Sequence, residues 1–100
     1  MAIELIIKPI AFLDVEDAIS YYEQKSKGLG KRFYDSFLAT LQNIQSHPHH
    51  YTFVYSSVRR CMVAKFPYKV FYLVEQEKIF IIGVTHAKRS NTFIRKRLRS

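Results

Sequence analysis

Seven consecutive residues, Ile79-Phe80-Ile81-Ile82-Gly83-Val84-Thr85, are apolar at nearly every position. The run is rich in β-branched and aromatic side chains and falls well short of the roughly 18 residues a membrane-spanning helix needs. It reads as a central strand covered on both faces, so the fold must supply a sheet around it and a layer on each side. Residues 69–74 form a second strand, and Glu75-Gln76-Glu77-Lys78 a tight polar turn between the two. With Gln76 and Glu77 as the two-residue tip, Val74 faces Ile79, Tyr72 faces Ile81 and Tyr68 faces Thr85. The other face of the pair then carries Leu73, Phe80, Phe71, Ile82, Val84 and His86. A further strand is expected at residues 60–64, ended by a turn at Phe66-Pro67, and a short one at residues 3–8, ended by Pro9.

The layer over the sheet comes from the first half of the chain. Phe12, Val15, Ile19 and Tyr22 recur at helical spacing, while Asp14, Glu16, Asp17 and Glu23 lie largely off that stripe as a solvated face. Pro9 suits a first helical turn, and the acidic residues after it complement the helix dipole. Gly28 and Gly30 break the pattern. A second stripe of Phe33, Phe37, Leu41 and Ile44, widened by Tyr34 and Leu38, runs until His47-Pro48. Two amphipathic helices around a short turn make an antiparallel hairpin. The tail at residues 91–99 is basic, with Phe93, Ile94 and Leu98 as its apolar members, and reads as a short helix. The fold class is α+β: an N-terminal strand, a helical hairpin on a mostly antiparallel sheet of about four strands, and a basic C-terminal helix. With 100 residues the chain is one domain.

Charge is unevenly placed. Residues 1–50 carry five Lys and Arg against six acids, and residues 51–100 carry eleven against two, so the formal +8 of the chain belongs to its second half. Such a field attracts a polyanion such as RNA or DNA, or an acidic protein partner, and it also serves solubility. A lone Cys61 excludes an internal disulfide, and no signal-peptide pattern opens the chain, so a cytoplasmic protein is expected, away from membranes. His47, His49 and His50 flank Pro48 without a Cys or carboxylate at ligand spacing, and no metal or other cofactor is expected.

The run Arg60-Cys61-Met62-Val63-Ala64-Lys65-Phe66-Pro67-Tyr68-Lys69-Val70-Phe71-Tyr72, followed by Ile81-Ile82-Gly83-Val84-Thr85-His86-Ala87-Lys88-Arg89, resembles the RelE/ParE toxin superfamily. The likeness lies in an Arg-bearing strand, an FPY-x-apolar-x-Y turn and strand, and a V-x-H-x-Lys/Arg-Arg strand end; Pro48 also falls where that family places a proline. The resemblance covers nearly the whole chain. It implies the toxin of a type II toxin–antitoxin system, of the plasmid-stabilisation kind, held inactive by a cognate antitoxin whose extended C-terminal segment wraps it. RelE-like members cut messenger RNA on the ribosome without metal, whereas ParE-like members poison DNA gyrase and carry no catalytic residues.

A metal-free ribonuclease must activate a ribose hydroxyl, stabilise a crowded phosphate and protonate the leaving oxygen. In that reading Arg60 stabilises the phosphate and His86 moves the proton. Arg59, Lys65, Lys88, Arg89, Arg95 and Arg97 position nucleic acid, and Tyr68 and Tyr72 serve proton transfer or stacking. Each also has a plain structural use: Tyr68 and Tyr72 as packing residues, His86 as a strand-end histidine bonded to the backbone, Arg60 as a partner of Glu4 or of the antitoxin. Phe93 and Ile94 stand in the tail where RelE brings an Arg and a Tyr to the scissile phosphate, and the histidine-bearing strand end is commoner among ParE-like members. Without ribonuclease activity the chain is a gyrase poison, a basic nucleic-acid-binding module, or an inactive homologue that only binds its antitoxin.

Overall fold

The computed structural model describes residues 3–98. Strand β1 (Glu4–Ile7) leads into helices α1 (Pro9–Lys25) and α2 (Leu29–Ser46), then β2 (Phe53–Tyr55), β3 (Val58–Met62), β4 (Tyr68–Glu75), β5 (Lys78–His86) and α3 (Thr92–Leu98). The sheet has five strands in the order β1-β5-β4-β3-β2. Only the β1–β5 pair is parallel. The hairpin α1–α2 covers one face and α3 part of the other, so β5 is buried on both faces as its apolar run requires. Among the described residues no helix is long and apolar enough to cross a membrane.

The hairpin forms where the periodicity places it, with two differences. The buried residues of α1 are Ala11, Val15 and Ala18, while Phe12 points outward and is 41% exposed. Small side chains on the inner face let the helix lie close to the sheet, and the larger ring is displaced. No acidic residue lies in the first turn of α1, so no carboxylate there complements the dipole, and Pro9 contributes only its preset φ and the amide it lacks. On α2, Phe33, Phe37, Leu41 and Ile44 are buried as the stripe predicts. Gly28 caps α2 at φ 85°, a conformation glycine adopts freely. Gly30 lies inside α2, where a Cβ would stand 2.8 Å from the Ile19 carbonyl oxygen. Glu23 supplies the missing cap, accepting bonds from the Gly28 and Gly30 amides at 3.0 Å each.

The strands differ more. The expected strand at 60–64 begins earlier, at Val58, and pairs with the unexpected β2 through a turn in which Ser56 takes φ 51°. At the β4–β5 turn Gln76 and Glu77 both have positive φ, the two-residue hairpin geometry without a glycine. The register near that tip is as expected, with Val74 opposite Ile79 and Tyr72 opposite Ile81. Beyond it a bulge adds Ile82 to β5, so Tyr68 faces His86 and not Thr85. One extra residue shifts everything after it to the opposite face. Val84 therefore joins the core beneath the hairpin, and His86 follows it there, while Phe71 and Ile82 stay on the side of α3.

Candidate functional site

The bulge decides how the basic tail is held. Pro9 takes the chain into α1 directly after Lys8, whose amide gives the last bond to β5, at the Ile81 carbonyl. Past that point the Ile82 carbonyl and the Val84 amide have lost the strand neighbour. The Asp14 carboxylate of α1 accepts from the Val84 amide at 3.0 Å, and the Arg97 guanidinium of α3 donates to the Ile82 carbonyl at 3.1 Å. Arg97 and Asp14 then pair with each other at 2.6 and 3.1 Å, each side chain 17% exposed. Ile94 is fully buried and packs over Gly83, where a Cβ would meet its Cδ1 at 2.9 Å. Asp14 thus leaves the solvated face assigned to it, and Arg97 is held in an ion pair within the fold.

The other predicted residues separate into two sets. Arg59 donates to the His49 and Tyr51 carbonyls at 3.0 and 2.7 Å and lies 3.8 Å above the Phe53 ring, so it pins the segment after α2. Tyr72 is fully buried and donates its hydroxyl to the Pro48 carbonyl at 2.7 Å. Burial pushes that hydroxyl up to about 12, against the opposing pull of Arg59, so it is a poor proton donor near neutrality. Tyr68 packs edge-on against Tyr22, Phe33 and His86, and burial raises its hydroxyl as well. Lys65 (φ 69°) and Lys88 are exposed. Arg89 stacks 4.3 Å from the Phe93 ring and Arg95 lies 5.1 Å from that of Tyr55, both exposed.

Arg60 and His86 do not meet. Residues directly opposite on neighbouring strands share a face. Arg60 is opposite Phe71, in the cluster under α3, whereas His86 is opposite Tyr68, which packs beneath the hairpin. Their positions lie two strands apart and three residues along β4, so their backbones are about 14 Å apart. His86 lines an open cavity of about 320 Å³ with Asp17, Tyr21 and Arg89, and its Nδ1 accepts from the Lys88 amide at 3.1 Å. The Arg60 side chain makes no hydrogen bond or ion pair with the described residues, its backbone amide donating to the Thr52 carbonyl, and Glu4 pairs instead with Lys78.

The sequence reading missed Lys69. It is 4% exposed on β4, and its ammonium donates to the Arg89 carbonyl at 2.6 Å and Asn91 Oδ1 at 2.9 Å, both uncharged. Burial, and secondarily the nearby Arg60, lower its pKa. The one signal for it in the sequence is a lysine amid the apolar residues of a strand.

The model of the family described as "ParE toxin of type II toxin-antitoxin system, parDE" matches residues 5–91. The chain belongs to the ParE toxin family. Among solved structures, the chromosomal ParDE system of P. aeruginosa matches with a TM-score of 0.78 at 12% identity, over 87% of this chain and 98% of that one. The isolated E. coli RelE toxin gives 0.64 at 16% identity over 98% of each chain. A doubly arginine-substituted E. coli RelE in the free state gives 0.71 at 17% identity, over 99% of this chain and 98% of that one. At these identities the likeness is one of fold. No curated protein matches. The match to the ParE family ends at Asn91, so α3, with its lock to Asp14, lies beyond the matched stretch. In this ParE-family chain the elements of the resemblance, from the FPY turn to the strand-end histidine, fall on β3, β4 and β5 and the turns between them.

Proposed function

We propose that this toxin arrests growth by binding and inhibiting DNA gyrase, and that a cognate antitoxin neutralises it. The observation that carries this reading is the separation of Arg60 from His86 on opposite faces of the sheet. A ribonuclease gathers its cation and its proton carrier around one phosphate. Three of the other candidate groups already have structural partners: Tyr72 with Pro48, Arg59 with the His49 and Tyr51 carbonyls, Arg97 with Asp14. A toxin that acts by binding needs a surface and no such cluster. Ile10, Phe12 and Leu13 of α1 and Leu38 of α2 are exposed on the hairpin, the kind of apolar patch a protein partner covers. The sheet is open at β1 and β2, and those edges suit an added strand from an extended antitoxin segment.

Induced expression in a bacterial host, with pulse labelling of new DNA and new protein in one culture, tests the reading. DNA labelling should fall first, with a damage response, and purified protein should inhibit supercoiling by gyrase. Ile10→Glu with Leu13→Glu should weaken that inhibition by about ten-fold, the loss of one to two well-buried anchors. Prompt loss of protein labelling that Arg60→Ala restores would overturn the proposal in favour of messenger RNA cleavage. Co-expression of the antitoxin should restore growth in either case.

A further inference from the structure

Between Asp35 and Glu75, and again after Glu77, the sequence holds no acidic residue. The topology gathers those two acid-free stretches. The end of β3, the start of β4, the end of β5 and the residues leading into α3 meet at one end of the sheet, and β2 shares a cavity with the start of α3, while Glu75 and Glu77 sit at the far tip of the β4–β5 hairpin. On the α3 side of this end lie Arg60, Lys69 and Arg95; Arg89 stands at its edge, against the Phe93 ring and also lining the hairpin-side cavity with Asp17, and the exposed Lys65 and Lys88 belong to its turns. Lys69 is nearly fully buried with only neutral acceptors, two for its three donors, and no carboxylate stands among its partners. A buried ammonium is ordinarily matched by an opposite charge, and among the described residues it has only the face of the Phe71 ring, 5.6 Å away, besides those two acceptors. Beside it, between β2 and α3, a cavity of about 200 Å³ is lined by Val54, Tyr55, Ser90, Asn91, Thr92 and Arg95.

We infer that this end of the sheet binds the phosphate backbone of duplex DNA. Three observations choose that partner. The density of unbalanced cations calls for a polyanion. The rings near these cations are capped by guanidinium groups, Phe53 by Arg59, Tyr55 by Arg95 and Phe93 by Arg89 and Arg97, so bases have no free aromatic platform. Recognition of single strands, RNA above all, depends on such platforms. A protein partner wants an apolar centre, and five of the exposed large apolar side chains, Ile10, Phe12, Leu13, Tyr21 and Leu38, are on the helical hairpin, whereas Phe53, Met62 and Leu98 stand singly on β2, β3 and α3, Phe53 beneath Arg59. Ser90, Asn91 and Thr92 add neutral hydrogen-bonding groups at the cavity, as backbone contacts commonly use. The binding is independent of sequence and of gyrase.

The test is fluorescence anisotropy of the purified protein on a short duplex of arbitrary sequence, between roughly 50 and 200 mM salt. Binding should weaken steeply with salt. The triple variant Arg60→Gln/Arg89→Gln/Arg95→Gln should lose at least about ten-fold in affinity at the low-salt end and flatten the log–log slope by about 2 to 3. A hairpin triple, Lys25→Gln/Lys27→Gln/Arg32→Gln, removes the same net charge and should bind within about two-fold of wild type. Should the first triple fail to fold, Arg95→Gln alone changes one exposed helical side chain and should flatten the slope by about 1. Equal losses from both triples would overturn the assignment, leaving only the attraction of overall charge. No duplex binding by the wild type would overturn it, as would tighter binding of single-stranded RNA or of a polyglutamate peptide. No arm contains gyrase, so failure here leaves the gyrase reading standing, and failure to inhibit gyrase leaves this one standing.

Discussion

The two faces of the sheet are held by different means. Against the hairpin, Ala11, Val15, Phe33, Phe37 and Ile44 are wholly buried on Val70, Tyr72, Ile79 and Ile81, a broad apolar layer. Under α3 the buried cluster is Val58, Phe71, Ile82 and Ile94 alone. A seven-residue helix is far too short to persist by its own hydrogen bonds. It stays because Ile94 fits over Gly83 and because Arg97 closes an ion pair that also satisfies the backbone freed by the bulge. One face is therefore specified by area and the other by a few directional contacts. That division predicts that the hairpin face fails globally when it fails, and the α3 face locally.

The largest effect should come from the first face. Phe37→Ala removes a fully buried ring from its centre and should cost about 3–5 kcal/mol, a large share of the stability of a domain this size. Urea unfolding should show one midpoint lowered for the whole chain. Next, Arg97→Ala strands the Asp14 carboxylate and the Ile82 carbonyl in a mostly buried site, at about 2–3 kcal/mol, below the full cost of a broken buried pair because each partner is 17% exposed. Asp14→Asn keeps an acceptor for the Val84 amide and loses only the charge, so it should cost about half as much. For both, amide exchange should accelerate at residues 82–84 and along α3 while α2 stays protected. Uniform acceleration would erase the distinction between the faces.

That distinction also governs how much could be read from the sequence. The hairpin was legible because its periodicity repeats over two long helices, and repeated local signals reinforce each other. The β4–β5 register was legible beside the turn, where two residues fix it, and illegible past Ile82, where the one hint of an extra residue is Gly83 and a lone glycine fixes no register. Strand β2 was missed: it has three residues, and its turn places Ser56 at positive φ without the glycine or asparagine that would announce it. Asp14 and Arg97 were assigned separately, one to solvent and one to nucleic acid, because their pairing joins residues 83 positions apart and no local pattern encodes it. For the site, residue types were legible and their grouping was not. Arg60 and His86 fit one chemistry on paper, and only the bulge shows that they are on opposite faces.

Gly83→Ala probes the α3 face without touching a charge. The new methyl would meet the tips of Ile94, Phe93 and Arg97 at 2.9–3.1 Å, all of them side chains able to shift, so the cost should be near 1 kcal/mol, with α3 displaced and the hairpin unchanged. Near-ultraviolet circular dichroism and amide exchange at α3 would register it. A loss as large as that of Phe37→Ala would mean that the second face is as tightly specified as the first.

Tyr72→Phe gives the smallest effect and returns to the hairpin face, where it separates area from hydrogen bonding. The ring stays and only the bond to the Pro48 carbonyl is lost, so the cost near neutrality should be about 1 kcal/mol. Its pH dependence is the sharper reading. A tyrosine hydroxyl with an ordinary value of 10 stays protonated up to about 12 in the folded chain. Above pH 10 the unfolded chain releases that proton while the folded chain retains it, so this contribution is complete below 10 and disappears as pH rises through 12. Thermal melts across that interval should fall less steeply for Tyr72→Phe than for wild type. They should not become flat, since burial also raises Tyr22, Tyr51 and Tyr68. Parallel declines would mean that Tyr72 reaches water and that its bond to Pro48 does little to close the end of the core.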